Sequence, residues 1–132
     1  MNEVVAVLDK ELAHLGPVSI KELKDLLDAT PGGECSTEHH FAPGLYVREF
    51  RMGKGTVVLG CKHKEEHMLL LTEGHVRIWT EEGSEYIKAP HMSKSWKGCQ
   101  RVLYALEDSV LLSFHPTTTT DLDELRKELI ED

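Results

Sequence analysis

The stretch from residue 56 to residue 80 constrains the fold most, because it alternates short apolar runs with tight turns. Its runs are rich in β-branched and aliphatic residues, which indicates β-strands. Glu73-Gly74 is a hairpin signal between the second run and the third. We therefore predict three successive antiparallel strands: Thr56–Cys61, His67–Thr72 and Val76–Thr80.

The same pattern continues on both sides of this stretch. Further short segments are apolar or alternate apolar with polar residues, and glycine, proline or acidic turns separate them. Short strands with no long helix between them favour an antiparallel sandwich or barrel over a parallel α/β sheet. The predicted class is mainly β, and the further strands are Leu45–Met52, Glu85–Ala89, Gln100–Leu106 and Val110–His115.

Three amphipathic segments flank the predicted strands. Glu3–Leu15 has apolar residues at helical spacing, and a second short helix begins with a capping box at Ser19. A C-terminal helix is predicted from Thr120 to the end of the chain. We expect the two N-terminal helices to pack on their own domain, with contact to another subunit as the alternative. Glu34–Gly44, which follows them, is predicted to be a polar loop.

Composition and charge indicate one domain without a nucleic-acid-binding surface. The chain has 132 residues and a net charge of −8, whereas phosphate contacts need clustered Lys and Arg. No apolar run is long enough to span a bilayer, and the N-terminus is acidic where a signal peptide is basic. The three cysteines form no C-x-x-C pair and are expected to be reduced thiols. We therefore expect a cytoplasmic protein.

A cluster of Cys and His residues interrupts the predicted strands. Strand alternation places Cys61 and His63 on the same face as Val57 and Leu59, so we predict that both point inward. His67 returns on the next strand, and the two strands could direct all three side chains into one pocket. Thiolate and imidazole suit transition metals such as zinc, iron or nickel better than magnesium or calcium.

Two histidines do not complete a metal site, so a third ligand is needed. The candidates are Cys61, Glu66 and His115, of which His115 shares a strand face with Ser113. Cys61 alone is also consistent with a small buried apolar residue. His40 is a weaker candidate ligand in the predicted loop.

Arg101 and Tyr104 are candidates for binding a ligand. They lie close together in one predicted strand, where Arg101 could line the pocket mouth and meet an anionic small molecule. The alternative is a solvated charge on a strand. The chain has no nucleophile elbow and no phosphate-binding glycine loop, so neither chemistry is predicted.

The segment from Gly60 to Gly74 resembles the first signature of the cupin superfamily. In that signature two histidines lie two residues apart, and a glutamate and a glycine follow at set distances. Here Cys61 and His63 occupy the histidine positions, His67 occupies the glutamate position and Gly74 the glycine position.

The second cupin signature is matched in part. Gly83 and Pro90 fit it, and Ser95 stands where the fourth ligand, a histidine, would be. The resemblance implies a single jelly-roll β-barrel at residues 40–117. An N-terminal helical appendage with its loop would occupy residues 1–39, and a C-terminal helix residues 118–132.

A narrower resemblance connects the chain with small uncharacterised proteins encoded by bacteriophages and prophages. Four segments carry this resemblance: His39–Phe50, Gly60–His67, Arg101–Tyr104 and His115–Asp121. The resemblance implies a phage-encoded protein in the cytoplasm of the host cell, or a component of the virion.

Three functions remain open from the sequence. The first is a binding protein that holds a small ligand or a divalent metal in the barrel. The second is a virion or assembly component, in which the barrel is a scaffold and the helices make contacts within a homo-oligomer or the particle. The third is a metal-dependent enzyme of the oxygenase or isomerase type, as many cupins are.

Overall fold

The computed structural model describes residues 3–11 and 34–131, and the predicted second helix lies outside these ranges. The described residues form two helices and a series of short strands. Their bounds are α1 Glu3–Glu11, β1 Cys35–Ala42, β2 Leu45–Met52, β3 Val57–Leu59, β4 Lys62–His63, β5 His67–Glu73, β6 His75–Thr80, β7 Gly83–Lys88, β8 His91–Ser95, β9 Val102–Ala105, β10 Ser109–Pro116, α2 Leu122–Leu129 and β11 Ile130–Glu131.

Two antiparallel sheets face each other in a sandwich. One sheet has the strand order β1-β2-β10-β5-β8, and the other has the order β3-β9-β6-β7. The short pair β11-β4 lies at one end. Strands that are neighbours in a sheet are often distant in the sequence, as in a jelly roll. The expectation of a mainly β jelly-roll sandwich is confirmed.

The main core fills the space between the two sheets. The five-stranded sheet contributes Met52, Leu69, Leu71 and Leu111, and the four-stranded sheet contributes alternate residues of β6 and β9 such as Val76 and Leu103. Strand alternation directs every second side chain inward, so each sheet presents one apolar face to the other.

Helix α1 covers the outer face of the four-stranded sheet. Val5 and Leu8 pack against Trp79 and other apolar residues of that face. The Asp9 carboxylate accepts hydrogen bonds from Trp79 Nε1 at 2.8 Å and from the Arg77 guanidinium at 3.0 Å. The first predicted helix therefore packs on its own domain, as expected. No helix in residues 3–11 and 34–131 is long and apolar enough to cross a lipid bilayer.

Helix α2 closes one end of the sandwich. Asp121 caps it by accepting a hydrogen bond from the Glu124 N–H at 3.0 Å, so the helix begins just after the predicted cap at Thr120. It ends at Leu129, whereas we predicted a helix to the end of the chain. The reason is that Ile130 is extended and pairs with His63.

Two edge strands are absent from the sequence prediction. The predicted loop Glu34–Gly44 is wrong, because β1 pairs with β2 along its whole length. Strand β8 was also missed, and it pairs with β5. Both strands lie at sheet edges, β1 is mostly exposed and β8 is only partly buried, so their sequences are polar and show little apolar alternation.

The predicted strand Thr56–Cys61 is broken at Gly60. The Gly60 N–H donates to the Arg101 carbonyl at 2.8 Å, and β4 begins only at Lys62. Val57 and Leu59 pack on the side covered by α1, and Val58 packs on the main core. The predicted inward direction is therefore wrong for Val57, Leu59 and Cys61, whereas His63 faces the interior. The break shifts the alternation, because an irregular segment does not keep the two-residue period.

Candidate functional site

A cavity of about 480 Å³ opens at the end of the sandwich that α2 covers. Its deep walls are apolar residues from the inner faces of both sheets, among them Leu69, Leu103 and Leu111. Leu125 and Leu129 of α2 also line it. A cavity of this size with mainly apolar walls matches the usual form of a small-molecule site.

Three histidines from three strands meet in this cavity. His63 comes from β4, His67 from β5 and His115 from β10. Their ring centroids are 4.3 Å apart for His63 and His67, 4.5 Å for His67 and His115, and 5.5 Å for His63 and His115. Each ring offers one nitrogen within 4.8 Å of the other two. We call His63, His67 and His115 the histidine cluster.

The register of the five-stranded sheet brings two of these residues side by side. His115 is paired with Tyr46 on β2, and His67 is paired with Ser95 on β8. Strands β10 and β5 are neighbours, so Tyr46, His115, His67 and Ser95 form one row across the inner face. His63 reaches the cluster through β4, which β11 holds in place.

Hydrogen bonds orient the rings of His67 and His115, whereas one ring nitrogen of His63 has no partner among the described residues. His67 Nδ1 lies 3.3 Å from the Glu65 carbonyl oxygen, and His115 Nε2 lies 3.1 Å from the Ser113 hydroxyl. His63 Nδ1 is buried and has no hydrogen-bond partner among the described residues. A buried unpaired nitrogen is costly, and a bound cation is one way to satisfy it.

The cluster is held in its uncharged form. Burial, together with the positive charges of His67, Arg48 and Arg101, lowers the pKa of His63 to about 4. Burial and the charges of His67, His63 and Arg48 lower the pKa of His115 to about 3. The pKa of His67 is also lowered, mainly by burial. Neutral imidazoles have a free lone pair, which is the form that binds metal.

The donor set fits a divalent transition metal. Ligand nitrogens around a tetrahedral zinc ion lie about 3.4 Å apart, since each metal–nitrogen bond is about 2.0–2.1 Å. The nitrogens of the cluster lie within 4.8 Å of one another, a spacing slightly wider than that of a tetrahedral site. Three neutral imidazoles suit zinc, iron or nickel and leave coordination positions for another ligand.

The other candidate ligands from the sequence lie outside the histidine cluster. Cys61 is exposed at the cavity rim rather than pointing inward, because it continues the face of Val57 and Leu59, which pack outside the main core. Glu66 is exposed and pairs with Lys94 at 2.8 Å. His40 lies near Glu38 and Glu49, at 3.4 Å from a Glu49 oxygen, and is not part of the cavity wall.

The two candidate ligand-binding residues have different surroundings. Arg101 lines the cavity, and its guanidinium donates a hydrogen bond to the Ser95 hydroxyl. Ser95 is the residue that the sequence resemblance compares with the fourth cupin ligand, and in this structure its hydroxyl contacts an arginine. Tyr104 faces α1 and packs with Trp79 and Val102, away from the cavity.

Arg48 lines the same cavity and was not singled out from the sequence. It lies on the inner face of β2 between Tyr46 and Phe50, and its guanidinium lies 4.8 Å from the centre of the Phe50 ring. The two-residue period of β2 places these three residues on one face, so the inward position of Arg48 was predictable from the sequence. His39 was missed because β1 was taken for a loop; its Nδ1 lies 2.7 Å from the Tyr46 hydroxyl.

Sequence comparisons found no relative, whereas structural comparisons found many. No protein-family model and no curated protein matches this chain. A cupin superfamily protein from Desulfitobacterium hafniense aligns with a TM-score of 0.57 and 8% identity over 66% of this chain and 81% of that one. An RmlC-like cupin from Shewanella frigidimarina aligns with a TM-score of 0.57 and 12% identity over 70% of this chain and 83% of that one.

A third solved structure aligns with a larger part of this chain than the other two do. A salicylate 1,2-dioxygenase from Pseudaminobacter salicylatoxidans aligns with a TM-score of 0.60 and 12% identity. The match covers 94% of this chain and 36% of the dioxygenase, so this chain corresponds to about a third of that enzyme. At these identities the likeness concerns the fold. The chain therefore has the jelly-roll fold of the cupin proteins.

Proposed function

We propose that this cupin-fold protein binds a divalent transition metal through His63, His67 and His115 and holds a small ligand beside it. One observation carries the proposal: three uncharged imidazoles from separate strands, two buried and one half-buried, converge in one cavity. Three histidines packed only for stability would leave the buried His63 Nδ1 without a partner among the described residues.

A bound metal would supply Lewis-acid character and coordination positions for a small molecule. Residues of the chain orient the metal ligands and limit the access of water. The Glu65 carbonyl and the Ser113 hydroxyl orient the rings of His67 and His115. Leu125 and Leu129 cover the cavity and limit the access of water to the histidine cluster.

A metal-dependent enzyme is the second candidate. Three histidine ligands leave room in the coordination sphere, as catalytic metal sites require. One of the proteins with a similar fold is a dioxygenase. The cluster itself contains no carboxylate, which differs from the two-histidine, one-carboxylate set of many iron oxygenases.

Several expectations from the sequence stay predictions. These are the bacteriophage origin, the role in a virion, the homo-oligomer and the cytoplasmic location. The division into residues 1–39, 40–117 and 118–132 stays a proposal as well.

Metal analysis of the full chain, purified without a histidine tag, tests the proposed function. We expect about one equivalent of zinc, iron or nickel, and we expect His67→Ala and His115→Ala each to lower the content at least tenfold. His75→Ala is the matched control, because His75 lies on β6 and does not line the cavity.

Circular dichroism of each variant separates loss of metal from loss of fold. A wild-type chain that stays metal-free after titration with zinc, iron and nickel would contradict the proposal. Equal metal content in the wild type and both cluster variants would do so as well.

A further inference from the structure

The charge of the cavity is opposite to that of the chain. The chain carries a net charge of −8, yet the cavity wall has three arginines, Arg48, Arg101 and Arg126, and a single carboxylate, Asp123. Arg126 and Asp123 are both exposed on α2, at the mouth. The half-buried charges inside are therefore Arg48 and Arg101, and both are positive.

Neither inner arginine has a carboxylate partner among the described residues. Arg101 donates to the Ser95 hydroxyl, and Arg48 makes one long hydrogen bond, 3.4 Å, to Thr37 Oγ1. By contrast, Arg77 pairs with Asp9 at 3.0 Å and Arg51 with Glu49 at 2.9 Å. Guanidinium groups that lose water without gaining an anion are destabilised, so an anion that enters the cavity would gain strong, forked hydrogen bonds.

The two arginines lie on opposite sides of the histidine cluster. Arg101 is held by Ser95, which is paired with His67 across β5 and β8. Arg48 is paired across β2 and β10 with Ser113, whose hydroxyl contacts His115. An anion bound by either arginine would therefore lie next to the imidazoles.

The remaining walls indicate the rest of the ligand. Phe50, Leu69, Leu103 and Leu111 line the interior, and all belong to the apolar core or pack against it. Such walls favour an aliphatic or aromatic body over a polyol or a nucleotide. The cavity of about 480 Å³ has room for a molecule of several carbon atoms.

We propose that the cavity binds a small organic carboxylate, whose carboxylate group is attracted by Arg48 and Arg101 from opposite sides and whose apolar body packs against the core. This inference rests on the proposed function only in placing the ligand in the cavity of the histidine cluster. The arginines do not need a metal to bind the carboxylate, so the two proposals can fail separately.

Calorimetric titration of the full chain tests the proposal with three probes: hexanoate, its uncharged analogue hexanamide, and inorganic phosphate. The titrations use both chelator-treated and zinc-loaded protein. We expect hexanoate to bind saturably in both states and hexanamide to bind at least about tenfold more weakly, since a charge-assisted hydrogen bond is lost. Phosphate should bind more weakly than hexanoate, because it has no apolar body.

Arginine variants identify the residues that bind the probe. Arg48→Gln and Arg101→Gln should each weaken hexanoate binding by about tenfold or more. Arg51→Gln is the matched control, because Arg51 lies on the same strand as Arg48 but is exposed and does not line the cavity. It should leave binding unchanged. Ser95→Ala keeps the charge of Arg101 but removes its partner, so it should weaken binding less than Arg101→Gln does.

Three results would overturn the carboxylate site. They are no binding of hexanoate in either metal state, equal binding of hexanoate and hexanamide, and tighter binding of phosphate than of hexanoate. Hexanoate binding by chelator-treated protein that takes up no zinc would support the carboxylate site and contradict the metal site. Stoichiometric metal without any hexanoate binding would support the metal site and contradict the carboxylate site.

Discussion

His63, His67 and His115 illustrate how burial changes the chemistry of a residue. A histidine in water titrates near neutral pH, whereas burial and nearby positive charge lower the pKa of His63 to about 4 and of His115 to about 3. His63 and His115 therefore stay neutral across the physiological range. The same burial that makes the imidazoles poor proton acceptors makes them available to a metal.

Acid should destabilise the metal-free protein. Unfolded histidines bind protons below about pH 6.5, whereas folded His63 and His115 do not bind them until about pH 4 or lower. The stability that these neutral histidines contribute is fully present above about pH 6.5 and decreases as the pH falls towards 4. For His115 alone we expect a loss of about 2 kcal/mol between pH 7 and pH 5.

Urea denaturation of chelator-treated protein at the two pH values measures this loss. His115→Ala should be less stable than the wild type at pH 7 but should depend less on pH between 7 and 5. An identical pH dependence in the wild type and the variant would contradict the assignment of the effect to His115.

At the scale of elements, α2 and β11 determine whether the cavity is closed. Leu125 and Leu129 pack on Tyr46, and the β11 residue Ile130 pairs with His63. The helix is short and its remaining residues are mostly exposed, so its position depends on these few contacts. The element that covers the histidine cluster also supports the strand that carries His63.

Truncation of this packing should open the cavity. Leu125→Ala should cost roughly 2 kcal/mol or more of local stability, because it removes a buried side chain. We expect the bound metal to pass to a competing chelator at least several-fold faster than in the wild type, with the β-sheet circular dichroism unchanged.

Lys127→Ala is the control for this experiment, since Lys127 lies on the same helix with an exposed side chain. It should leave the transfer rate unchanged. An equal rate in the Leu125 variant and the wild type would show that α2 does not control access.

At the scale of the whole molecule, the two sheets are joined by one apolar core. Leu71 is 0% exposed and packs among residues from both sheets. The α1 layer on the outside and the α2 contacts at the end are smaller clusters that are separate from this core. Cooperative stability should therefore depend on the core between the sheets more than on either helix.

Leu71→Ala should reduce the free energy of unfolding by about 3–5 kcal/mol, because it removes buried methyl groups and leaves a cavity. Met92→Ala, at a residue that is 63% exposed on β8, should change it by less than about 0.5 kcal/mol. Urea denaturation of both variants measures the difference. A loss below about 1 kcal/mol for Leu71→Ala would show that the core between the sheets contributes less than its burial indicates.

The sequence by itself determined the central strands and the mainly β class. Short apolar or alternating segments between turns are a local pattern, and they are present in β2, β5, β6 and β10, which contribute buried side chains to the sandwich. The spacing around His63 and His67 likewise indicated a turn with inward imidazoles. Edge strands such as β1 were not predicted, because both of their faces are exposed and their sequences lack the alternation of apolar and polar residues that indicates a strand.

The tertiary structure alone decided which residues meet. His115 joins His67 through the pairing of β10 with β5, and Arg48 and Arg101 reach the same cavity from opposite sheets. Cys61 had a suitable spacing but is exposed, because it continues the face of Val57 and Leu59, which lies outside the main core. The irregular backbone before β4 then directs His63 into the cavity. A site of this kind depends on strand order and register, which arise from contacts between distant residues and therefore leave no local pattern in the sequence.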